Sequence, residues 1–141
     1  MEIQYSEAKE ELLGELKEKT TTITVRDFMP SGVRCDYNAE GQITGRFNAM
    51  HIETVTSLIK PDGSSEYEEK GISTTSEGEV VLVTASGKAR QETPALISFE
   101  GSTKYQTASK KLAWLNNATG RHEGTYNPTT GEVSIRLYRK A

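Results

Sequence analysis

"QITGRFNAMHIETVTSLIKPDGS" (residues 42–64) holds a long run of strand-forming residues that stops at a turn. Ile, Val, Thr and Phe recur through residues 42–59, the composition of a pleated, half-buried surface. Fully extended, those residues would span roughly 60 Å at about 3.3 Å each. That is too long for one straight strand in a domain of 141 residues, so a bulge, bend or break is predicted between Asn48 and Thr54. Its place decides which side chains point inward, because a one-residue slip turns every later side chain to the other face. A slip would bring Met50, Ile52 and Leu58 inside in place of His51, Val55 and Ile59. The run ends at "KPDGS" (60–64), where proline sets one dihedral and Asp-Gly supplies the reversal.

Outward from this stretch the period-two pattern continues on both sides. "TTTITVRDF" (20–28) and "SGVRCDYNAEG" (31–41) precede it. "SEYEEKGISTT" (65–75), "VVLVTASGKARQ" (80–91), "TPALISFEGSTKY" (93–105), "TGRHEGTY" (119–126) and "EVSIRLYRK" (132–140) follow. Tight glycine-bearing turns such as "SEGE" and "NPTTG" join them, so neighbouring strands are antiparallel. A meander of this length closes most economically into an up-and-down barrel, which leaves no open edge. A two-sheet sandwich is the alternative. The expectation is a single all-β domain over 1–141, with about eight strands making a barrel over 20–140.

Two stretches depart from that period. In "YSEAKEELLGELKEK" (5–19), Ser6 can cap a helix, and Ala8, Leu12, Leu13 and Leu16 form a stripe at helical spacing. An N-terminal α-helix over 6–18 is predicted, although Gly14 costs it about 1 kcal/mol relative to alanine. In "TKYQTASKKLAWLNNATG" (103–120), Ser109 can cap a short helix whose Leu112 and Leu115 share a face with Ala108. Two turns are marginal in water, so this segment is expected to plug a barrel end.

The hydrophobic fraction is 34%, which suits one rolled sheet with a single buried face. Seventeen basic and twenty acidic residues give a net charge of −3. No basic stripe interleaved with aromatics exists, which argues against nucleic acid as a partner. No apolar run reaches membrane-span length and no secretory signal pattern opens the chain, so a cytoplasmic location is expected. Cys35 is the single cysteine. Two histidines and one cysteine offer no metal-ligand spacing along the chain, and neither metal nor other cofactor is expected.

His51 and Glu53 share a strand face if no bulge separates them. A carboxylate beside an imidazole orients the ring and stabilises its charged form, so this pair is the candidate for proton transfer; a surface pair is the plainer alternative. His122 and Glu123 alternate and make a poorer pair. "EYEEK" (66–70) reads as a solvated strand face. Phe47, Phe99 and Tyr105, with Trp114 at the edge of the plug, are the candidate ligand-binding residues, and Tyr37 and Tyr67 are expected near a rim. Small residues opposite aromatics (Gly45, Ala49, Gly101, Thr103) leave room in a barrel that can hold one small ligand.

This pattern of a leading helix or strand, an antiparallel meander of about eight strands, a glycine-punctuated core and no evident catalytic motif resembles the allene oxide cyclase-type barrel, and "FEGSTKYQTASKKLAWLN" (99–116) is similar to the closing segment of small prokaryotic proteins. The cyclase-type group includes plant cyclases, dirigent proteins and small bacterial proteins. The resemblance is architectural, covers residues 20–140, and assigns no catalytic residue. Lipocalin-like barrels are less similar, since a Gly-x-Trp near the first strand is absent. Three functions follow as expectations: binding of a small, mostly apolar molecule, a cyclase or isomerase reaction using the cavity, or a filled, homo-oligomer-forming barrel.

Overall fold

A computed structural model describes residues 9–140. Eight strands follow one another: β1 Glu10–Met29, β2 Gly32–Gly45, β3 Ala49–Ile59, β4 Ser64–Thr75, β5 Val80–Thr93, β6 Leu96–Thr107, β7 Gly120–Tyr126 and β8 Glu132–Lys140. Each pairs antiparallel with the next, and β8 returns to β1, closing an up-and-down barrel. No helix among the described residues is long and apolar enough to cross a membrane.

The predicted N-terminal helix is absent. Residues 10–18 lie within the first half of β1, and residues 6–8 of that prediction fall outside the described part. Helix propensity is a weak preference that tertiary pairing overrides, and here each neighbour supplies a ladder to β1. The helical spacing of its leucines has a local cause. Leu13 is the extra residue of a bulge against β8, between Leu12↔Tyr138 and Gly14↔Leu137. The bulge buries Leu13 and Leu16, three apart, while Leu12 stays exposed. Gly14 fits there because a Cβ would lie 2.7 Å from the Thr44 carbonyl oxygen.

The long run at 42–59 is broken at Arg46–Asn48, where the chain turns from β2 into β3. It meets the predicted window of Asn48 to Thr54 only at Asn48, and Ala49–Ile59 pairs without interruption on both sides. No slip occurs. His51 and Glu53 remain on the inside, and Met50 and Ile52 face out, 64% and 53% exposed.

One barrel end is closed by Leu13, Leu16, Ile43, Phe47, Val81, Leu112, Leu115 and Leu137, which pack as one apolar cluster. The plug is a single 3-10 turn, Ala113–Asn117, and not an α-helix. Its Leu115 is wholly buried and Leu112 nearly so, and the Ser109 hydroxyl accepts the Leu112 N–H. Trp114 lies half-buried between the guanidinium groups of Arg46 and Arg139, 5.0 and 4.6 Å from its ring, a cation–π arrangement.

Candidate functional site

A cavity of about 200 Å³ runs from this floor toward the opposite end, where Ile59, Gly63, Gln91, Ile97 and Tyr126 surround it. Leu16, Ile43, Val83 and Ile135 supply apolar wall. The remaining wall carries two polar clusters, each made by alternation along neighbouring strands.

The first centres on His51 of β3, only 2% exposed. Its Nδ1 lies 2.7 Å from Ser73 Oγ on β4. Its Nε2 faces Glu53 Oε1 at 3.1 Å and Glu69 Oε1 at 3.2 Å. Gly71, directly between Glu69 and Ser73 on the inward face of β4, makes room for the ring: a Cβ there would sit 2.5 Å from His51 Cε1. Burial opposes charge on His51, but the hydrogen bonds and charges of Glu53 and Glu69 outweigh it and raise its pKa to about 9. The ring is therefore an imidazolium at neutral pH. Nδ1–H donates to Ser73, and Nε2–H is shared between the carboxyl oxygens of Glu53 and Glu69.

Glu18 of β1 completes this cluster. Both its carboxyl oxygens are buried without a donor among the described residues. Burial first, then the Glu53 charge, hold its pKa far above the carboxylate range. Glu18 is thus protonated, and its hydrogen-bonding partner is the Glu53 carboxylate. Burial raises Glu53 too, but the bonds from His51, Glu69 and Glu18 prevail and keep it low. Burial raises Glu69 against the pull of His51. At neutral pH one ionised carboxylate thus faces one imidazolium, and protons reside on the other two carboxyl groups.

The second cluster joins Tyr67 of β4 to His122 of β7. Tyr67, Gly87, Gly101 and His122 stand opposite one another across four strands, and Gly87 leaves room for the Tyr67 ring over β5. A side chain at Gly87 would collide with the Tyr67 hydroxyl. That hydroxyl lies 2.5 Å from His122 Nε2, and His122 Nδ1 lies 2.9 Å from Thr103 Oγ1. Burial pushes the Tyr67 pKa up and brings His122 down to about 4. Tyr67 O–H therefore donates to a neutral ring, which assigns the His122 proton to Nδ1. Phe99 packs edge-on against Tyr67, centroids 5.8 Å apart. Tyr105 lines the cavity, and its hydroxyl is buried without a partner among the described residues.

Of the residues singled out in the sequence, His51, Glu53, Phe99 and Tyr105 line this cavity. Phe47 packs in the floor and Trp114 outside it. Tyr37 and Tyr126 meet at 6.0 Å among the residues around the cavity. Glu69 is inside although "EYEEK" reads as solvated: strict alternation along β4 turns Tyr67, Glu69, Gly71 and Ser73 inward while Glu66 and Glu68 face water. Glu18 is invisible to a helical reading of β1. Ligand atoms of Glu18, His51 and Glu53 lie within 4.8 Å of one another, a grouping that spacing along the chain does not reveal. A cation there would have to displace the proton on His51 Nε2 and the proton on Glu18.

Together the fold and cavity define an eight-stranded antiparallel β-barrel with a polar cluster buried in its interior. Barrels of this shape have been solved from several organisms. The chain is similar to a protein of unknown function from Clostridium acetobutylicum, with 16% identity and a TM-score of 0.86 over 98% of this chain and 100% of that one. A β-barrel-like protein from Acinetobacter baumannii matches at 14% identity and a TM-score of 0.78, covering 96% and 99%. An enzyme from Penicillium herquei matches at 20% identity and a TM-score of 0.70, covering 98% and 99%. No protein-family model and no curated protein matches the chain.

Proposed function

We propose that the barrel binds a small, mostly apolar molecule in its interior. The observation that carries this reading is the cavity of about 200 Å³, walled by Leu16, Ile43, Val83 and Ile135 and lined by Phe99 and Tyr105. Ligand-observed NMR with a panel of monoterpenes and small phenols tests the proposal. Saturable binding is expected, and Ala85→Phe, which fills the cavity from β5, should abolish it while leaving the fold intact. Equal binding by wild type and Ala85→Phe refutes it.

A second reading is favoured by the His51 cluster: an enzyme of the cyclase or isomerase kind, in line with the allene oxide cyclase-type resemblance. Binding alone does not call for an imidazolium beside one carboxylate with two protonated carboxyl groups next to them, since burying such groups is costly. Isomerisation and ring closure need a proton delivered and a proton removed, and Glu53, His51 and Glu69 line the cavity with both donor and acceptor positions. The Penicillium herquei neighbour is described as an enzyme, so the architecture accommodates catalysis. Hydrogen–deuterium exchange at acidic carbon positions of a bound compound reads this out directly. Exchange that Glu53→Gln removes without loss of binding supports it; absence of exchange in the wild type rejects it.

A further inference from the structure

β8 pairs with β1 only as far as Lys19↔Glu132, and the last rung is the Thr20 N–H to the Gly131 carbonyl at 2.8 Å. β1 continues to Met29, paired on its other side alone, with β2. Residues 21–29 therefore present a bare strand edge among the described residues. Every residue from Thr21 to Phe28 is exposed, including Ile23, Val25 and Phe28 at 51, 56 and 78%. Their partners on β2 are Tyr37, Cys35 and Val33, which puts all three on the face that continues the cavity wall. Thr20, brought to that same face by the bulge at Thr21, sends its N–H toward β8. Ile23 and Val25 therefore send their N–H and C=O groups toward the bare edge, since face and hydrogen-bond direction alternate together along a strand. No proline or lysine lies on this edge; bulges at Thr21 and Arg26 and the charges of Arg26 and Asp27 confine the free, regular ladder to Thr22–Val25.

We propose that a second copy of this chain docks on this edge, β1 against β1 in antiparallel pairing, with the two-fold axis at Thr24. The sequence is self-complementary in that register. Ile23 of each copy stands opposite Val25 of the other and Thr24 opposite Thr24, and the bulges at Thr21 and Arg26 bound this regular stretch on either side. Like charges do not meet, and the central pairs are β-branched, which suits cross-strand packing. Moving the axis to Val25 would set Asp27 against Ile23. The added strand runs in the direction of β8 and takes up its track where β8 ends, giving a closed isologous dimer. Its Ile23 and Val25 extend the apolar wall at the cavity mouth. The edge is shorter than an interface of about 800 Å² per partner calls for, so the dimer should dissociate on dilution. The other exposed apolar surface (Met50, Ile52, Ile72 and Leu82) lies on strands β3–β5, each paired on both sides, and offers no bare edge.

Sedimentation equilibrium over a range of concentrations tests this, with a mass rising from 15.6 kDa toward twice that value. Thr24→Cys should crosslink between copies under mild oxidation, because a non-hydrogen-bonded antiparallel pair sits about 4.5 Å apart at Cα, within disulfide reach. Cys35 is buried and does not compete. Val25→Pro removes an N–H that only the partner would use, and should weaken the dimer by about tenfold or more with the strand circular dichroism unchanged. Ile23→Lys should do the same if the proline disturbs folding. A wild-type protein that stays monomeric at every concentration overturns the proposal. So does a dimer that survives both folded variants, or one in which Thr24→Cys fails to crosslink.

Discussion

His122 should make the protein acid-sensitive through a single ring. Buried against Tyr67, Phe99 and Thr103, it is held neutral: burial lowers its pKa from 6.5 to about 4, Glu53 pulling the other way and Arg121 adding to the fall. Between those two values the unfolded chain binds a proton that the native ring refuses, so stability rises with pH across this window. The contribution is fully present above about pH 6.5 and is lost as pH falls toward about 4. At 1.36 kcal/mol for each tenfold change in proton affinity, the whole loss is about 3 kcal/mol. Urea melts of wild type and His122→Gln, run side by side from about pH 7 to about pH 4, isolate it. Carboxylates such as Glu53 also lose stabilisation in acid, but that part is common to both proteins and cancels. The wild type should start out the more stable and give up about 3 kcal/mol of its advantage. A difference that stays flat across the window, or widens in acid, would show that the ring is charged in the native barrel and that the Tyr67-to-His122 assignment is wrong.

His51 should behave in the opposite sense. With its pKa raised to about 9, it is charged in the native state and neutral in the unfolded one between about pH 6.5 and 9, so its stabilisation is complete below that window and fades as pH rises through it; NMR of its ring signals should give a midpoint near 9, and one near the ordinary histidine value would refute the cluster. At the closed end, Leu115→Ala should cost about 2–5 kcal/mol in a denaturant melt, the range for truncating a fully buried leucine. A loss below about 1 kcal/mol would mean that the 3-10 turn does not seal the floor.

Period-two alternation was enough to read the all-β class, the antiparallel meander and the barrel over most of the chain, because it is imposed locally by the pleat and by the turn residues between strands. It also put His51, Glu53, Phe99 and Tyr105 on inward faces, and His51 beside Glu53 is a contact two residues apart on one strand. What alternation could not supply depends on neighbours far away in sequence. β1 looks helical by itself, and only the ladders from β2 and β8, with a bulge at Leu13, make a strand of it. Glu18 and Glu69 become members of a proton-sharing cluster only because barrel closure brings β1, β3 and β4 around one imidazole. Tyr67 reaches His122 across two strands because Gly87 lies opposite it in register, and register is a property of the closed sheet.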